Sequence, residues 1–183
     1  MKTEIETRFL EIDKAVLISK LKALKAIDKG EVKLDEIIFY DKDLKWFDEN
    51  KLVRLRKNKD VTKLTFKSNL EQRVDSTKEI EFTVSSFDDA KTLLEAVGLV
   101  AYRVVEKIRH TFIFNEVTID IDTWPKIPTY VELEGDSVEK LKVAAKSLGL
   151  TWKDRFDGDP RYVYKRYGFD FDKIRILTFA KVE

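Results

Sequence analysis

The chain has 183 residues and a formal net charge of +1 although 38% of its residues are charged, so no general excess of basicity attracts nucleic acid and the charges must act locally. With no cysteine and a single histidine, His110, a disulfide framework, a thiolate metal site, a thiol nucleophile, a histidine triad and a multi-histidine zinc site are all excluded. The length fits one domain over residues 1–183, and the start Met-Lys-Thr-Glu carries no apolar signal region. No run is long enough to span a bilayer, so a cytoplasmic protein with neither a membrane nor a nucleic-acid partner is expected.

Alternation predicts a first strand at about 2–9, where Glu4, Glu6 and Arg8 alternate with Ile5, Thr7 and Phe9. A helix at about 13–26 follows, capped by Asp13 and striped by Val16, Leu17, Leu21 and Leu24. Strands are expected near about 36–42, 51–57, 61–68 and 78–84. In the second of these Arg54 and Arg56 alternate with Val53 and Leu55. In the third Lys63, Thr65 and Lys67 alternate with Leu64 and Phe66, and in the fourth Glu79 and Glu81 alternate with Ile80 and Phe82. Asn58-Lys59-Asp60 reads as a hairpin turn.

A second helix at about 86–97 is capped by Ser85 or Ser86, carries Ala90, Leu93, Leu94 and Val97, and stops at Gly98. Strands near about 101–110, 112–115, 117–123 and 129–135 come next, with Asn115-Glu116 as a turn. In them Lys107 and Arg109 flank Ile108, Asp120 and Asp122 alternate with Ile119 and Ile121, and Glu132 and Glu134 alternate with Val131 and Leu133. Helices at about 136–148, ending at Gly149, and about 159–167 complete the chain.

Successive side chains of a strand point to opposite faces, so each of these segments has one apolar and one ionised face. About eight such strands with interspersed helices predict an α+β fold: an antiparallel sheet rolled into an eight-stranded barrel, helices packed outside on the apolar faces, and a lumen lined by charge. An unpaired charge in a dry lumen would neutralise itself by a pKa shift, so the lumen must be wet or self-neutralising. Glu4, Glu6, Glu132 and Glu134 repel one another unless protonated or bridged by a cation, and oxygen-only ligands favour Mg²⁺ or Mn²⁺ over zinc. Arg54, Arg56, Lys67, Lys107 and Arg109 offer donors that suit several phosphate groups in line. Metal facing a basic cradle is what phosphoryl transfer requires, with water or a substrate hydroxyl as the attacking group.

In the order of these motifs the chain resembles the CYTH superfamily, the triphosphate tunnel metalloenzymes. The family's Glu-x-Glu-x-Lys signature stands here as Glu4-Ile5-Glu6-Thr7-Arg8. The Arg54/Arg56 strand, the lysine strand ending at Lys67, the segment Glu106 to Arg109, the acidic strand ending at Asp122 and the Glu132/Glu134 strand follow in sequence. The resemblance implies an eight-stranded tunnel that binds a triphosphate-containing small molecule with Mg²⁺ or Mn²⁺. It implies metal binding by Glu4, Glu6, Glu132 and Glu134, with Asp122 as a further ligand, and phosphate binding by Arg8, Arg54, Arg56, Lys67, Lys107 and Arg109. Arg103 and Glu81 share the parity of these residues and stand in a second tier. Arg8, Glu4 and Glu6 are the implied catalytic set, although an arginine, which stays protonated, cannot serve as the base that a lysine could be.

The stretch Asp122–Glu132 is similar to members that are class IV adenylyl cyclases or thiamine triphosphatases. The leading expectation is a hydrolase of inorganic triphosphate, thiamine triphosphate or a nucleoside triphosphate. The alternatives are a cyclase releasing cyclic AMP and pyrophosphate, or a non-catalytic polyphosphate or nucleotide binding module. A homodimer is compatible with this reading, though no segment specifies its interface. His110 falls out of phase with Lys107 and Arg109 and is expected to pack or face solvent. Trp46, Trp124 and Trp152 are expected to pack or sit on the rim, where an aromatic ring could stack on a base, and the tail helix with Arg161, Lys165 and Arg166 is a candidate plug for one end.

Overall fold

The computed structural model describes residues 2–69 and 77–183. Strand β1 (Lys2–Phe9) leads through helix α1 (Lys14–Ala23) to β2 (Ile27–Asp41), and a short helix α2 (Lys45–Asp48) precedes β3 (Lys51–Lys57). Next come β4 (Thr62–Asn69), β5 (Thr77–Val84), α3 (Phe87–Ala96), β6 (Leu99–Phe114), β7 (Val117–Thr123) and β8 (Tyr130–Gly135). Helices α4 (Val138–Ser147) and α5 (Pro160–Arg166) and the two-residue strand β9 (Ile176–Leu177) complete the chain.

The strands hydrogen-bond in the order β2-β3-β4-β5-β1-β8-β7-β6, and β6 pairs back to β2 from Ile27↔Ile113 to Asp41↔Leu99. Eight antiparallel strands therefore form a closed ring with no free edge between them, and β9 adds a parallel pairing to β6 at Val104 and Val105. Local chemistry fixes the connections. The Asp13 carboxylate accepts the Val16 N–H at 3.0 Å to start α1. The Asn58 side chain accepts the N–H groups of Asp60 and Val61 at 2.9 and 2.8 Å to close the β3–β4 hairpin. Asn115 and Glu116 take φ values of 49° and 62°, the left-handed pair required by a two-residue hairpin between β6 and β7.

Three elements differ from the sequence expectation. β2 begins at Ile27 rather than near 36, because Asp28, Lys29, Glu31 and Lys33 show no apolar run and become strand only by pairing with β6. Gly30, at φ +89°, absorbs the register shift by which Asp28 pairs with Phe112 and Gly30 with Thr111. The two strands expected at 101–110 and 112–115 are one, since Thr111 stays in register with Asp120 and donates to its carboxylate at 2.5 Å. α2 is only four residues long, too short to show a helical period.

The main core lies outside the barrel. Phe9, Ile119, Ile121, Val131 and Leu133 turn outward beneath Leu17 and Leu21 of α1 and Leu141, Ala144, Ala145 and Leu148 of α4. Phe39, Val53 and Leu55 do the same beneath Ala90 and Leu94 of α3. The predicted helix stripes are narrower than expected: Val16, Leu93 and Val97 are 51%, 61% and 66% exposed, because a short helix on a convex barrel touches it along one ridge. A third cluster joins Ile38, Tyr40, Val105 and Tyr130 to Val163 and Tyr164 of α5 and to Phe171, Ile174 and Leu177, at the barrel end where β8 begins. Leu133→Ala is expected to lower stability by roughly 2–5 kcal/mol, and Val16→Ala to change it by less than about 0.5 kcal/mol. Urea denaturation of the two variants checks the inner and outer limits of this packing.

Candidate active site

Closing the ring turns one row of side chains from every strand into a shared cavity of about 850 Å³. Glu6 and Arg8 enter from β1, Glu36 from β2, Arg54 and Arg56 from β3, and Lys63 and Lys67 from β4. Glu79 and Glu81 enter from β5, Arg103, Lys107 and Arg109 from β6, Asp120 from β7, and Glu132 and Glu134 from β8. Register places the acidic strands side by side, with Glu6 opposite Glu134 and Arg8 opposite Glu132.

The charges neutralise one another through named contacts. Arg109 donates from Nε to Asp122 at 2.6 Å, from Nη1 to Asp120 at 2.5 Å and from Nη2 to Asp122 and Glu132 at 2.6 and 3.1 Å. Arg8 reaches Glu6 at 3.0 Å, Glu132 at 2.5 Å and the Gly158 carbonyl at 3.0 Å. Gly158 can be no larger, because a Cβ there would meet the Phe156 ring at 2.7 Å. Lys107 donates to Asp122 at 3.0 Å, and Arg56 to Glu36 at 2.7 Å.

Burial alone would raise the Glu132 carboxyl, but Arg8 and then Arg109 outweigh it and hold it well below the usual carboxylate range. Glu36 is likewise buried, yet Arg56 and Lys107 keep it at about 2. For Lys107 burial wins, aided by the nearby Arg109, and the ammonium falls to about 8 despite Asp122 and Glu36. Burial also raises Asp120, where Asp122 and Glu132 add to it against Arg109.

A second group of cations is paired with carboxylates that are more exposed. Arg54 reaches Thr65 at 3.4 Å and Glu81 at 3.6 Å, and its buried Nε has no hydrogen-bond partner among the described residues. Lys67 pairs with Glu79 at 2.8 Å, and Lys63 also lines the cavity and pairs with Glu81 at 2.5 Å. Arg103 lines the cavity but spends its donors on the carbonyls of Ile174 and Phe171, both at 2.8 Å, tying the tail to the barrel. Asp122, fully buried behind the lumen wall, holds Lys107 and Arg109 in place. The side chain of Glu4 lies outside the described residues.

Among the described residues no three carboxylates form a ready metal cage. Glu6, Glu132 and Glu134 nevertheless supply oxygen donors on adjacent strands, a set whose chemistry fits a hard divalent cation.

Sequence reasoning placed Asp120 on the inward, ionised strand face without assigning it a role, and missed Glu36 as a member of this network and Tyr130 as part of its wall. Glu36 is a single carboxylate in the row Leu34, Glu36, Ile38, and that interruption of an apolar alternation was the available signal. His110 faces outward as expected, stacked on Phe112 and 2.7 Å from Asp28. Trp46 and Trp152 pack outside on Phe66 and Phe9, whereas Trp124 lines the cavity. Arg161 of α5 also lines it, bound to Asn50 at 2.9 Å, while no cavity contact is made by Lys165 or Arg166 among the described lining residues.

Two of these groups, Glu36 and Lys107, act oppositely on stability. Glu36, at about 2 against an ordinary 4.5, favours the folded state above pH 4.5 and loses that contribution as pH falls towards 2. Lys107, at about 8 against 10.5, disfavours the folded state when protonated, so stability gained through it rises between pH 8 and 10.5. Glu36→Gln is expected to flatten the acid arm of the stability profile and Lys107→Met the alkaline rise, each read from urea denaturation across pH.

A family model for the CYTH domain matches residues 2–162. No curated protein matches the chain. Among solved structures, a protein from Pyrococcus horikoshii superposes with a TM-score of 0.74 at 23% identity, covering 87% of this chain and 98% of the other. A Vibrio parahaemolyticus protein assigned as an adenylate cyclase gives 0.78 at 16% identity, covering 90% and 98%. A Hippeastrum protein assigned as an adenylyl cyclase, and reported to have a dominant triphosphatase activity, gives 0.66 at 16% identity, covering 90% and 96%. These likenesses share the barrel found here, and with the family match spanning all eight strands of the ring the chain belongs to the CYTH domain family.

Proposed function

We propose that the lumen binds the triphosphate of a small molecule together with Mg²⁺ or Mn²⁺ and hydrolyses it. The observation that carries this reading is the convergence of Arg8, Arg54, Arg56, Lys67, Lys107 and Arg109 from four strands on one cavity, facing Glu6, Glu132 and Glu134. Family membership and the triphosphatase activity reported for the Hippeastrum neighbour support it.

In this reading Arg54 and Lys67 move from Glu81 and Glu79 to phosphate oxygens, which are stronger partners for cations in a low-dielectric site. Arg56 and Arg109, fixed by Glu36 and by Asp120 and Asp122, present guanidinium edges already oriented, so charge developing on the transferred phosphoryl group meets donors that need no reorganisation. Arg8 stays protonated and acts by neutralising and orienting, not by removing a proton. Glu6, Glu132 and Glu134, with Glu4, would hold the divalent metal, which when bound supplies a Lewis acid for the phosphoryl oxygens. Water attacks the terminal phosphorus, the bridging P–O bond breaks with its electron pair going to the diphosphate remainder as leaving group, and the proton lost by the attacking water passes to solvent, giving phosphate and the diphosphate.

The deciding experiment incubates the protein with ATP and, separately, inorganic triphosphate, with Mg²⁺ or Mn²⁺, and resolves phosphate, pyrophosphate and cyclic AMP. Metal-dependent phosphate release is the expected result. Cyclic AMP with pyrophosphate would instead assign a cyclase, and tight binding without either product a binding module. Arg54→Ala is expected to lower kcat/KM roughly 10²-fold or more with little loss of thermal stability, because its native contacts are long. Glu6→Gln that retained full metal-dependent turnover would overturn the metal assignment.

A further inference from the structure

The ring is closed, but its strands differ in length and one of them overhangs its neighbour. Strand β1 meets β5 over three residues, Lys2 opposite Glu79, Thr3 opposite Lys78 and Glu4 opposite Thr77. Strand β5 runs on to Val84, paired on one side with β4, where Leu64 stands opposite Phe82 and Thr62 opposite Val84. Among the described residues no strand pairs with the other edge of β5 over residues 81–84.

An edge of this kind presents backbone donors and acceptors that a further strand can take up. Ile80, Glu81, Phe82 and Thr83 are all exposed, so both faces of β5 are open there as well as its edge. Phe82 and Ile80 stand opposite Leu64 and Phe66, which pack on the cluster beneath α3, and therefore lie on the outer face of the ring. They are nevertheless 54% and 47% exposed. The stretch 80–84 contains neither proline nor lysine, the residues that commonly guard a strand edge. Its one charge, Glu81, points into the lumen and pairs with Lys63 at 2.5 Å.

We infer that this edge docks a second copy of the chain, the two β5 strands pairing antiparallel about a twofold axis at Phe82. In that register Phe82 faces its own symmetry mate, Ile80 faces Val84 of the partner subunit, and Glu81 faces Thr83 of the partner subunit. The segment is self-complementary there. Apolar side chains meet apolar ones on the outer face, and on the inner face each carboxylate meets a hydroxyl that can donate to it. Like charges directly opposite each other would destabilise the pairing, and over residues 80–84 this register sets none against another. The formal net charge of +1 leaves little overall repulsion between copies. Any extended strand would satisfy the backbone, but the second copy is the partner whose side chains this sequence already matches. Its strand would also continue the lumen wall beyond the start of β1, beside Glu81 and Lys63, which line the cavity.

Sedimentation equilibrium of the wild-type chain and of Phe82→Lys over a range of concentrations tests this. The wild-type mass is expected to double as concentration rises. Phe82→Lys sets two ammonium groups against each other at the axis and should abolish that rise, while keeping the wild-type circular dichroism because Phe82 is half exposed. A second arm exploits the absence of cysteine from the chain and does not depend on the lysine variant folding. Residues directly opposite in an antiparallel pair have Cα atoms about 4.5–5.5 Å apart, inside the range of about 4.4–6.8 Å that a disulfide spans. Phe82→Cys should therefore give a disulfide-linked dimer on mild oxidation, whereas Lys78→Cys, exposed on the same strand but far from the axis, should not. A wild-type chain that stays monomeric up to about 1 mM, a dimer that survives Phe82→Lys, or cross-linking of Phe82→Cys no faster than of Lys78→Cys would each overturn the inference.

Discussion

A closed ring of strands has nowhere to put alternate side chains except inside, and in this chain those side chains are charged. The pairing of β2 with β6 closes the ring, and from that closure follow the buried Arg109 held by Asp120, Asp122 and Glu132, and Arg8 held by Glu6 and Glu132. A buried ion pair adds little net stability, because the desolvation of both charges offsets their attraction. Breaking one is far more damaging, since it leaves the partner charged and alone. The lumen network is thus better understood as a constraint on which residues the interior tolerates than as the source of the fold's stability.

Stability comes from the other face of the same strands. The outward apolar row packs beneath α1, α4 and α3, with Leu21, Ile119, Leu133 and Leu141 wholly buried. The division of labour is a direct result of the strand period of two: one face contributes the hydrophobic term and the other is released for chemistry. It also explains why the helices are short and singly striped. They cover a convex surface and need bury only one ridge each.

Within the lumen, the cations fall into two classes by what anchors them. Arg56, Lys107 and Arg109 are fixed by carboxylates that are themselves buried, and so behave as permanent features of the wall. Arg54, Lys63 and Lys67 pair with the partly exposed Glu79 and Glu81 on β5, contacts a more strongly charged ligand can replace. An interior that is already neutralised when empty avoids the cost of isolated buried charge, and exchange of partners lets it accept an anion without rebuilding the barrel. At one end α5 and the tail are tied to the barrel, Tyr164 through the Pro125 carbonyl and Arg103 through the Ile174 carbonyl.

Much of this was legible in the chain because alternation is a local property. Glu6 and Arg8, Arg54 and Arg56, Lys107 and Arg109, and Glu132 and Glu134 each announce a strand and the face its charges occupy, and the caps at Asp13 and Asn58 are short-range hydrogen bonds that any fold would retain. The barrel as a class and its charged lumen follow from those local facts. What only the tertiary structure decided was which charges meet. Arg103 has the same parity as Lys107, yet contacts with the tail turn it into an anchor. Glu36 lies in an apolar row and becomes central because β3 brings Arg56 opposite it. The early half of β2 is strand only because β6 is beside it. A residue's face is set by its own backbone, but its partner, its protonation and its role are set by neighbours tens of residues away, which no local pattern encodes.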